Sequence, residues 1–531
     1  MAMSKRVREL YEKRRKQNAQ YFRPSTSAVP APTPVQHTQS QPSTTRASAP
    51  KVPAQPRPQV SLESRVVSGT NPIRKLHQVY NTLQGGGYYI TSANELVYGK
   101  RTAIPLDEAG VQTVETSDVM YNASLTLSIL TCMLQDAGML LIGKPGRGKT
   151  TLAEYVGSAV FGLPIKTIQK ATIYGNPELT EEKMLAAFDI IKFMRGEKDL
   201  VVRDFLKLPI RLIDEVNRIP SETQSDLLQV VDRGFTTYQN EMIIACQAAL
   251  FATANPPDEG NYDMTEPFLD RFDVALVVKA INPFRYSDFT ERRVGKIKKN
   301  NELGVPVPER ITPADITAIR KIIYSVEFPS DLMSMLSHFS AELETCDMAG
   351  TTPDTKNKSN TIYEGVESLC QKCDHYSAEN NLCSKTKNDF SARAISSAYA
   401  YSKALAAWRG SRRVNKDDVR YALAYSSWFR LSPTIRVSEE EPRHKNDRIA
   451  WVKSMFDASM QSYGEVSTQL AEYSQITNLL FRQTLYKEGR GPQPNITRVD
   501  VGKMRSEVAK LDSLVKYPLI SALNNLYHEL K

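Results

Sequence analysis

Long apolar runs are missing from these 531 residues: no stretch approaches the roughly 18 consecutive apolar residues that mark a membrane-crossing helix, so no membrane span is expected. The chain begins MAMSKRVRELYEKRRKQ, which is charged and has no apolar stretch behind it, and this argues against a secretory leader. The expected compartment is the cytoplasm, where the six cysteines would stay reduced rather than pair as disulfides. No internal repeat is visible, which sets repeat architectures aside. The body of the chain also lacks net charge. The whole formal surplus of +9 is accounted for by residues 1–60, where eleven basic side chains stand against two acidic ones, Glu9 and Glu12. The basic balance therefore carries no information on what the folded part binds.

Residues 4–22 read as a short basic helix with Val7, Leu10 and Tyr11 on one face. The Pro-, Ser-, Thr- and Gln-rich segment behind it is too poor in apolar groups to offset its ordering entropy, so residues 1–67 are expected to form a disordered tail. The remainder of the chain is globular in composition, and a 41% hydrophobic fraction suffices for a sizeable core. From about Ser68, apolar strand-like runs alternate with helical ones: MLLIG at 139–143, LPIRLIDE at 208–215, AALFATAN at 248–255 and DVALVVKA at 273–280. That alternation predicts an α/β core with a parallel sheet flanked by helices over 68–283. Helical patterns at 313–324, 329–345, 391–408 and 415–430 predict an all-helical domain over 284–435. A last helical extension is expected over 436–531, broken near GRGPQPN.

The stretch LLIGKPGRGKTTLAEYVG, residues 140–157, matches the G-x-x-x-x-G-K-[ST] phosphate-binding pattern between an expected strand and an expected helix. Its glycines, Gly143, Gly146 and Gly148, permit tight curvature, so that backbone amides and a helix N-terminus can point at a polyphosphate. Lys149 would meet the β- and γ-phosphates and the Thr150 hydroxyl would meet Mg²⁺. Pro145, Arg147 and Thr151 complete the candidate loop. The second strand closes on two carboxylates: Asp214 can hold the Mg²⁺ shell while Glu215 polarises the attacking water. Asn255 ends the third strand, where an uncharged amide can reach that water or the γ-phosphate, and Arg271 in EPFLDRFDV could stabilise charge on the transferred group.

In series, GKPGRGKT, LIDEVNRIPSETQSDLLQ, FATANPPDEGNY, EPFLDRFDVAL and FSARAISSAYAYSKALAAWRGSRRVNKDDVRYAL resemble the signature blocks of the MoxR branch of AAA+ ATPases. This is a helix-2-insert branch related to the magnesium chelatase ATPase subunit, and the resemblance covers about residues 70–432. It implies an AAA+ P-loop core followed by a helical lid. Lys149 and Thr150 would be Walker A, Asp214 and Glu215 Walker B, and Asn255 sensor 1. Arg271 resembles the arginine finger that serves a neighbouring subunit's nucleotide, Arg393 resembles sensor 2 on the lid, and Arg218 is a further candidate for intersubunit contact. The resemblance also implies a homo-hexameric ring, ATP and Mg²⁺ as cofactors, and a partner carrying a von Willebrand factor A domain. Two decorations are expected, an insert around 175–205 and a hairpin around 234–246.

Cys132 and Cys246 sit in apolar surroundings and read as core residues. The other four cysteines, Cys346, Cys370, Cys373 and Cys383, fall in a polar insertion over 346–390. Cys370-x-x-Cys373 has the spacing with which two thiolates share a tetrahedral Zn²⁺, and Cys383 with Cys346 would complete a structural site, His375 being the alternative fourth ligand. The insertion has little with which to build its own core, and zinc can contribute about 10–16 kcal/mol to folding such a unit.

The expected function is that of a ring-forming, Mg²⁺-dependent ATPase that remodels or assembles a protein complex, chaperone-like, or inserts a metal or cofactor. A nucleic-acid motor is the alternative; against it, the expected hairpin TTYQNEM carries no Lys or Arg to track phosphates. A third reading is a slow ATP-dependent scaffold switch that docks partners through the tail and the C-terminal helices.

Overall fold

The computed structural model describes residues 72–85, 95–98, 119–188, 192, 194, 200–224, 227, 230, 234–238, 241–256, 264–280, 304–361, 365–376 and 381–530. The expected basic tail and its helix at 4–22 lie outside them.

A five-stranded parallel sheet forms the centre, in the order β11-β3-β10-β7-β4. Its members are β3 (Gly138–Ile142), β4 (Ile173–Tyr174), β7 (Ile210–Asp214), β10 (Ala249–Ala254) and β11 (Val274–Val277). Strand β10 is buried along its whole length, and its ALFATA sequence shows no polar alternation because helices cover both faces of the sheet. The register pairs Ala254 with Ile142 and Ala252 with Ile213, so the C-terminal ends of β3, β7 and β10 come out side by side.

Before β3, helix α1 (Pro72–Gly85) buries Leu76, Val79 and Leu83, and β1 (Glu95–Tyr98) pairs antiparallel with β2 (Val119–Asn122). Helix α2 (Ala123–Met133) starts directly after β2; Asn122 caps it by accepting from the Leu125 amide, and every one of its residues is buried. Helices α3 (Lys149–Phe161) and α4 (Ile165–Ala171) lead to β4. Beyond it, short helix α5 (Glu181–Met184) precedes an antiparallel pair, β5 (Ala186–Phe188) and β6 (Leu200–Val202), in the segment where the insert is expected. A second antiparallel pair, β8 (Phe235–Tyr238) and β9 (Glu241–Ile244), stands in the expected hairpin before β10. Short helix α6 (Glu266–Leu269) precedes β11.

The helical domain contains α7 (Pro313–Ser325), α8 (Ser330–Glu344), α9 (Val366–Cys370), α10 (Ala392–Trp408) and α11 (Lys416–Ser427). Capping boxes start α7 at Thr312 and Asp315 and α11 at Asn415 and Asp418, which is why both begin where their sequence patterns say. Two short helices, α12 (Ile435–Glu440) and α13 (Pro442–Asn446), turn the chain into α14 (Arg448–Gln469). Helices α15 (Tyr473–Lys487), α16 (Arg498–Val508) and α17 (Lys516–Glu529) close a second apolar cluster around Ile476, Val501, Val508 and Leu523.

The lid is fastened to the sheet by specific polar contacts. The buried Asp273 carboxylate accepts from the Gly138 amide at 2.8 Å and from Ser397 of α10 at 2.7 Å, and the Trp428 indole donates to Ala275 O at 2.8 Å. Burial pushes the Asp273 carboxyl up, opposed by these donors and by the nearby arginines. Helix α1 joins from the other side, with Lys75 on Asp315 at 2.7 Å and the His77 ring stacked on Trp408 at 4.3 Å.

Candidate functional site

Strand β3 delivers the chain into the glycine loop. The Gly143 amide donates to Ala254 O at 3.1 Å, and a Cβ at Gly143 would stand 2.7 Å from Val278 O, so the backbones are too close for any side chain there. Gly146 and Gly148 both take the left-handed conformation, with φ of 74° and 79°, which leaves Lys149 and Thr150 in the first turn of α3.

The Lys149 ammonium is buried. It donates to Gly143 O at 2.6 Å, Lys144 O at 3.2 Å and Asn255 Oδ1 at 2.9 Å. Burial draws its pKa down, while Asp214 and Glu215 pull in the opposite sense. The Thr150 hydroxyl donates to Asp214 Oδ1 at 2.8 Å, so two hard oxygen donors meet where the phosphate loop faces the end of β7. That donor set fits Mg²⁺, which prefers a few protein oxygens and keeps several waters.

Glu215, the residue after β7, has φ of 54°, an uncommon conformation for a side chain of its size. Its carboxylate is held on both oxygens: Asn255 Nδ2 donates to Oε1 at 3.2 Å and Arg218 Nε pairs with Oε2 at 3.2 Å. Arg218, half-exposed, is thus a partner of Glu215 within its own chain. Asn255 bridges the loop and the acid, touching Lys149 through its oxygen and Glu215 through its nitrogen.

Two residues of this network lie inside the quoted sequence blocks but have no role assigned to them there. Thr253 Oγ1 donates to Asp214 Oδ1 at 2.6 Å and accepts from the Glu215 amide at 2.9 Å, so one hydroxyl fixes both carboxylate residues. Asn217 clamps Asn255, its Nδ2 donating to Asn255 O at 3.0 Å and its Oδ1 accepting from Asn255 N at 3.3 Å. Thr253 lies two residues before Asn255 on β10, hence on the same face of the strand, and that spacing is the one signal the sequence offers for it.

Arg271 and Arg393 lie elsewhere. Arg271 O would be 3.5 Å from a Cβ on Gly138, the first residue of β3, whereas the phosphate loop leaves the other end of that strand. The four steps between the first and last of its five residues put the two ends about 13 Å apart. Arg271, Arg393 and Arg430 line a cavity of about 470 Å³ with Asp270 at its wall. Arg430 Nε pairs with Asp270 Oδ1 at 3.0 Å, Arg393 Nε stands 3.9 Å from Oδ2, and Ser391 donates to Oδ1 at 2.6 Å. Burial and the neighbouring Arg393 both draw the Arg271 guanidinium down. One chain therefore assembles Lys149, Thr150, Asp214, Glu215 and Asn255 at one end of the sheet and gathers Arg271, Arg393 and Arg430 away from it.

Cys346, Cys370, Cys373 and Cys383 are brought together around one small cavity, with His375 on its wall. All four are free thiols. Among the described residues no three His, Cys, Asp or Glu side chains are already arranged to hold a metal ion, so the expected zinc set is gathered but not formed. Cys132 and Cys246 are buried, as expected of core residues.

Residues 138–272 match the family of AAA domains described as the dynein-related subfamily. The chain matches no curated protein. Among solved structures it is similar to one from Cytophaga hutchinsonii described as a candidate ATPase, with a TM-score of 0.51 and 15% identity over 72% of this chain and 96% of that one. At that identity the likeness shows a shared fold.

Proposed function

We propose that this chain is a Mg²⁺-dependent ATPase of the MoxR type that works as a ring and couples hydrolysis to the remodelling or assembly of a protein complex. An AAA domain over residues 138–272 supports nucleotide use in general. The observation that carries the ring reading is the distance between the arginines and the phosphate loop. The Arg271 backbone lies beside the start of β3, about 13 Å of extended strand from the phosphate loop and beyond the reach of an arginine side chain, and Arg393 lines the same cavity as Arg271. In a closed ring the arginine end of one subunit faces the loop end of the next, and an arginine supplied in trans can raise the rate by about 10³–10⁵.

Within one subunit the division of labour follows from the contacts. Lys149 exchanges its three backbone and amide acceptors for β- and γ-phosphate oxygens, to which its charge is better matched. Thr150 and Asp214 would hold Mg²⁺, which supplies charge neutralisation along the phosphates. Glu215 orients and polarises the attacking water, with Asn255 fixing the carboxylate from one side. Arg218 occupies the other carboxylate oxygen and must loosen for a water to take its place.

Mixing subunits tests the trans assignment. Lys149→Ala loses nucleotide binding and Arg271→Ala loses hydrolysis, but the first retains its arginines and the second its phosphate loop. Mixed rings should recover part of the rate that neither variant shows alone; inactive mixed rings would overturn the assignment. The client class is tested with Glu215→Gln, which should retain ATP and remain on whatever the ring acts upon. Nuclease-resistant capture of one specific protein, among them any with a von Willebrand factor A domain, supports the remodelling reading. Retention of nucleic acid would replace it with the motor reading, which the TTYQNEM sequence, with no Lys or Arg, disfavours. Cytoplasmic residence belongs to the same proposal; among the described residues no helix is long and apolar enough to cross a membrane.

A further inference from the structure

The insertion between α8 and α10 is the part of the molecule that nucleotide chemistry leaves unexplained. Its four thiols come from separate segments: Cys346 from the end of α8, Cys370 and Cys373 from α9 and the turn behind it, and Cys383 from a 3₁₀ turn at Leu382–Lys385. They face one cavity of about 10 Å³. A void of that size admits about one small sphere and nothing larger.

The wall of this cavity contains a buried cation. The Lys358 ammonium is 5% exposed and donates to Thr386 O at 2.8 Å, Thr386 Oγ1 at 2.7 Å and Asn388 O at 3.2 Å, all neutral acceptors. It shares the cavity wall with Cys346, Cys370 and Cys383, and the Asp389 carboxylate also acts on it. Beside neutral thiols the buried charge would have the Asp389 carboxylate as its counter-charge and nothing from the cavity's sulfurs. A lysine beside thiolates is compensated. Burial pushes the Cys373 thiol up, and the His375 N–H, which donates to it, opposes that.

We propose that Cys346, Cys370, Cys373 and Cys383 bind one structural Zn²⁺ as thiolates, with Lys358 as the internal counter-charge. Four thiolates around a divalent ion carry a net charge of about −2, so one adjacent cation offsets half of it. Binding releases the thiol protons to solvent and forms four Zn–S bonds; no electron is transferred. Without the ion the thiols surround the void but are not drawn to a common point; an ion would draw them in to about 2.3 Å. The fourth ligand is Cys346 rather than His375. Both ring nitrogens of His375 are engaged, Nδ1 with Asn381 Nδ2 at 3.1 Å and Nε2 with Asp347 Oδ2 at 3.6 Å, whereas Cys346 is buried beside Lys358. With four protein ligands the ion has no open position and serves folding.

What it would hold is a joint. Asp347, next to Cys346, accepts from the Tyr517 hydroxyl of α17, and the Lys356 ammonium lies 4.9 Å from the Tyr517 ring while pairing with Asp347 at 2.8 Å. The metal would lock the insertion in the shape that receives the C-terminal helices.

The test uses the full-length protein purified without chelator. Elemental analysis should find about one zinc per chain, and Co²⁺ replacement should give the strong sulfur-to-metal charge-transfer bands and intense visible bands of a tetrahedral thiolate site. Cys373→Ser with Cys383→Ser should lose the metal while keeping nucleotide binding. Lys358→Met should lower zinc affinity about 10- to 100-fold in chelator competition, the effect expected of a group behind the ligands. Since the cysteine variants could fail to fold, the wild-type cobalt spectrum stands as an independent measurement. Folded wild-type protein with no bound metal, a disulfide among these four cysteines, or zinc that survives the double substitution would each overturn the proposal.

Discussion

At the scale of single residues, the site rests on a few hydroxyl and amide contacts that hold charged groups in place. Thr253 is the clearest case, since its hydroxyl both donates to Asp214 and accepts from the Glu215 amide. Thr253→Val keeps the shape and removes both contacts. The loss of a hydrogen bond to a charged group is worth about 1.5–3 kcal/mol, so kcat should fall about 10- to 100-fold. Nucleotide affinity should change little, because Thr253 does not touch Lys149. Steady-state kinetics beside a nucleotide-binding isotherm separate the two; an equal loss in both would make Thr253 a merely structural residue. Lys149, Thr150, Asp214 and Asn255 are legible in the sequence because phosphate chemistry fixes their type and spacing. Thr253 and Asn217 are not, since a threonine inside AALFATAN reads as strand and an asparagine after DEV reads as loop. Only the folded strands show that they converge on the charged residues.

At the scale of elements, the long helices are legible in the sequence and the short ones are not. Helix α7 begins at its capping box and runs to Ser325, one residue past the stretch expected from its pattern, because the box and the apolar period agree. The two-residue strand β4 and the short helices α12 and α13 carry too few residues to display any period. Helix α14 is legible only as part of a longer helical region, and it brings Lys453 against α11. The Lys453 ammonium lies 4.6 Å from the Tyr421 ring and 5.7 Å from the Tyr425 ring, and burial, with Arg420 nearby, pushes its pKa down to about 8. An unfolded lysine titrates near 10.4, so the unfolded chain binds more protons between about pH 8 and 10 and stability from this group rises through that window. Below pH 8 the full cost of the buried charge is present, offset in part by the two rings. Lys453→Met should therefore raise Tm at pH 7 by about 2–4 °C, an effect on the order of 1 kcal/mol. The gain should vanish by about pH 10. A gain independent of pH would mean that packing rather than charge is responsible.

At the scale of the whole molecule, the described residues hold two apolar cores of unequal size. The larger runs from α1 through the sheet and lid to Met460 of α14, while the smaller begins at Tyr463 of the same helix and ends at Leu526. A cluster this small buries a lower fraction of its surface and is the weaker unit. One polar tie to the lid is His338 of α8, fully buried, whose Nδ1 lies 2.7 Å from the Tyr473 hydroxyl and whose Nε2 lies 3.2 Å from Ser462. Heating should then give two transitions in calorimetry, the C-terminal helices first. Tyr473→Phe leaves a ring nitrogen of His338 without its partner at a cost of about 1 kcal/mol, which lowers the first transition by about 4–8 °C for a unit of 60–100 residues. The second transition should stay in place, because the larger core does not depend on that hydroxyl. A single transition that shifts as a whole would show instead that α14, which contributes to both clusters, makes them one cooperative unit. Motion of the lid in the nucleotide cycle would then be carried rigidly to the C-terminal helices.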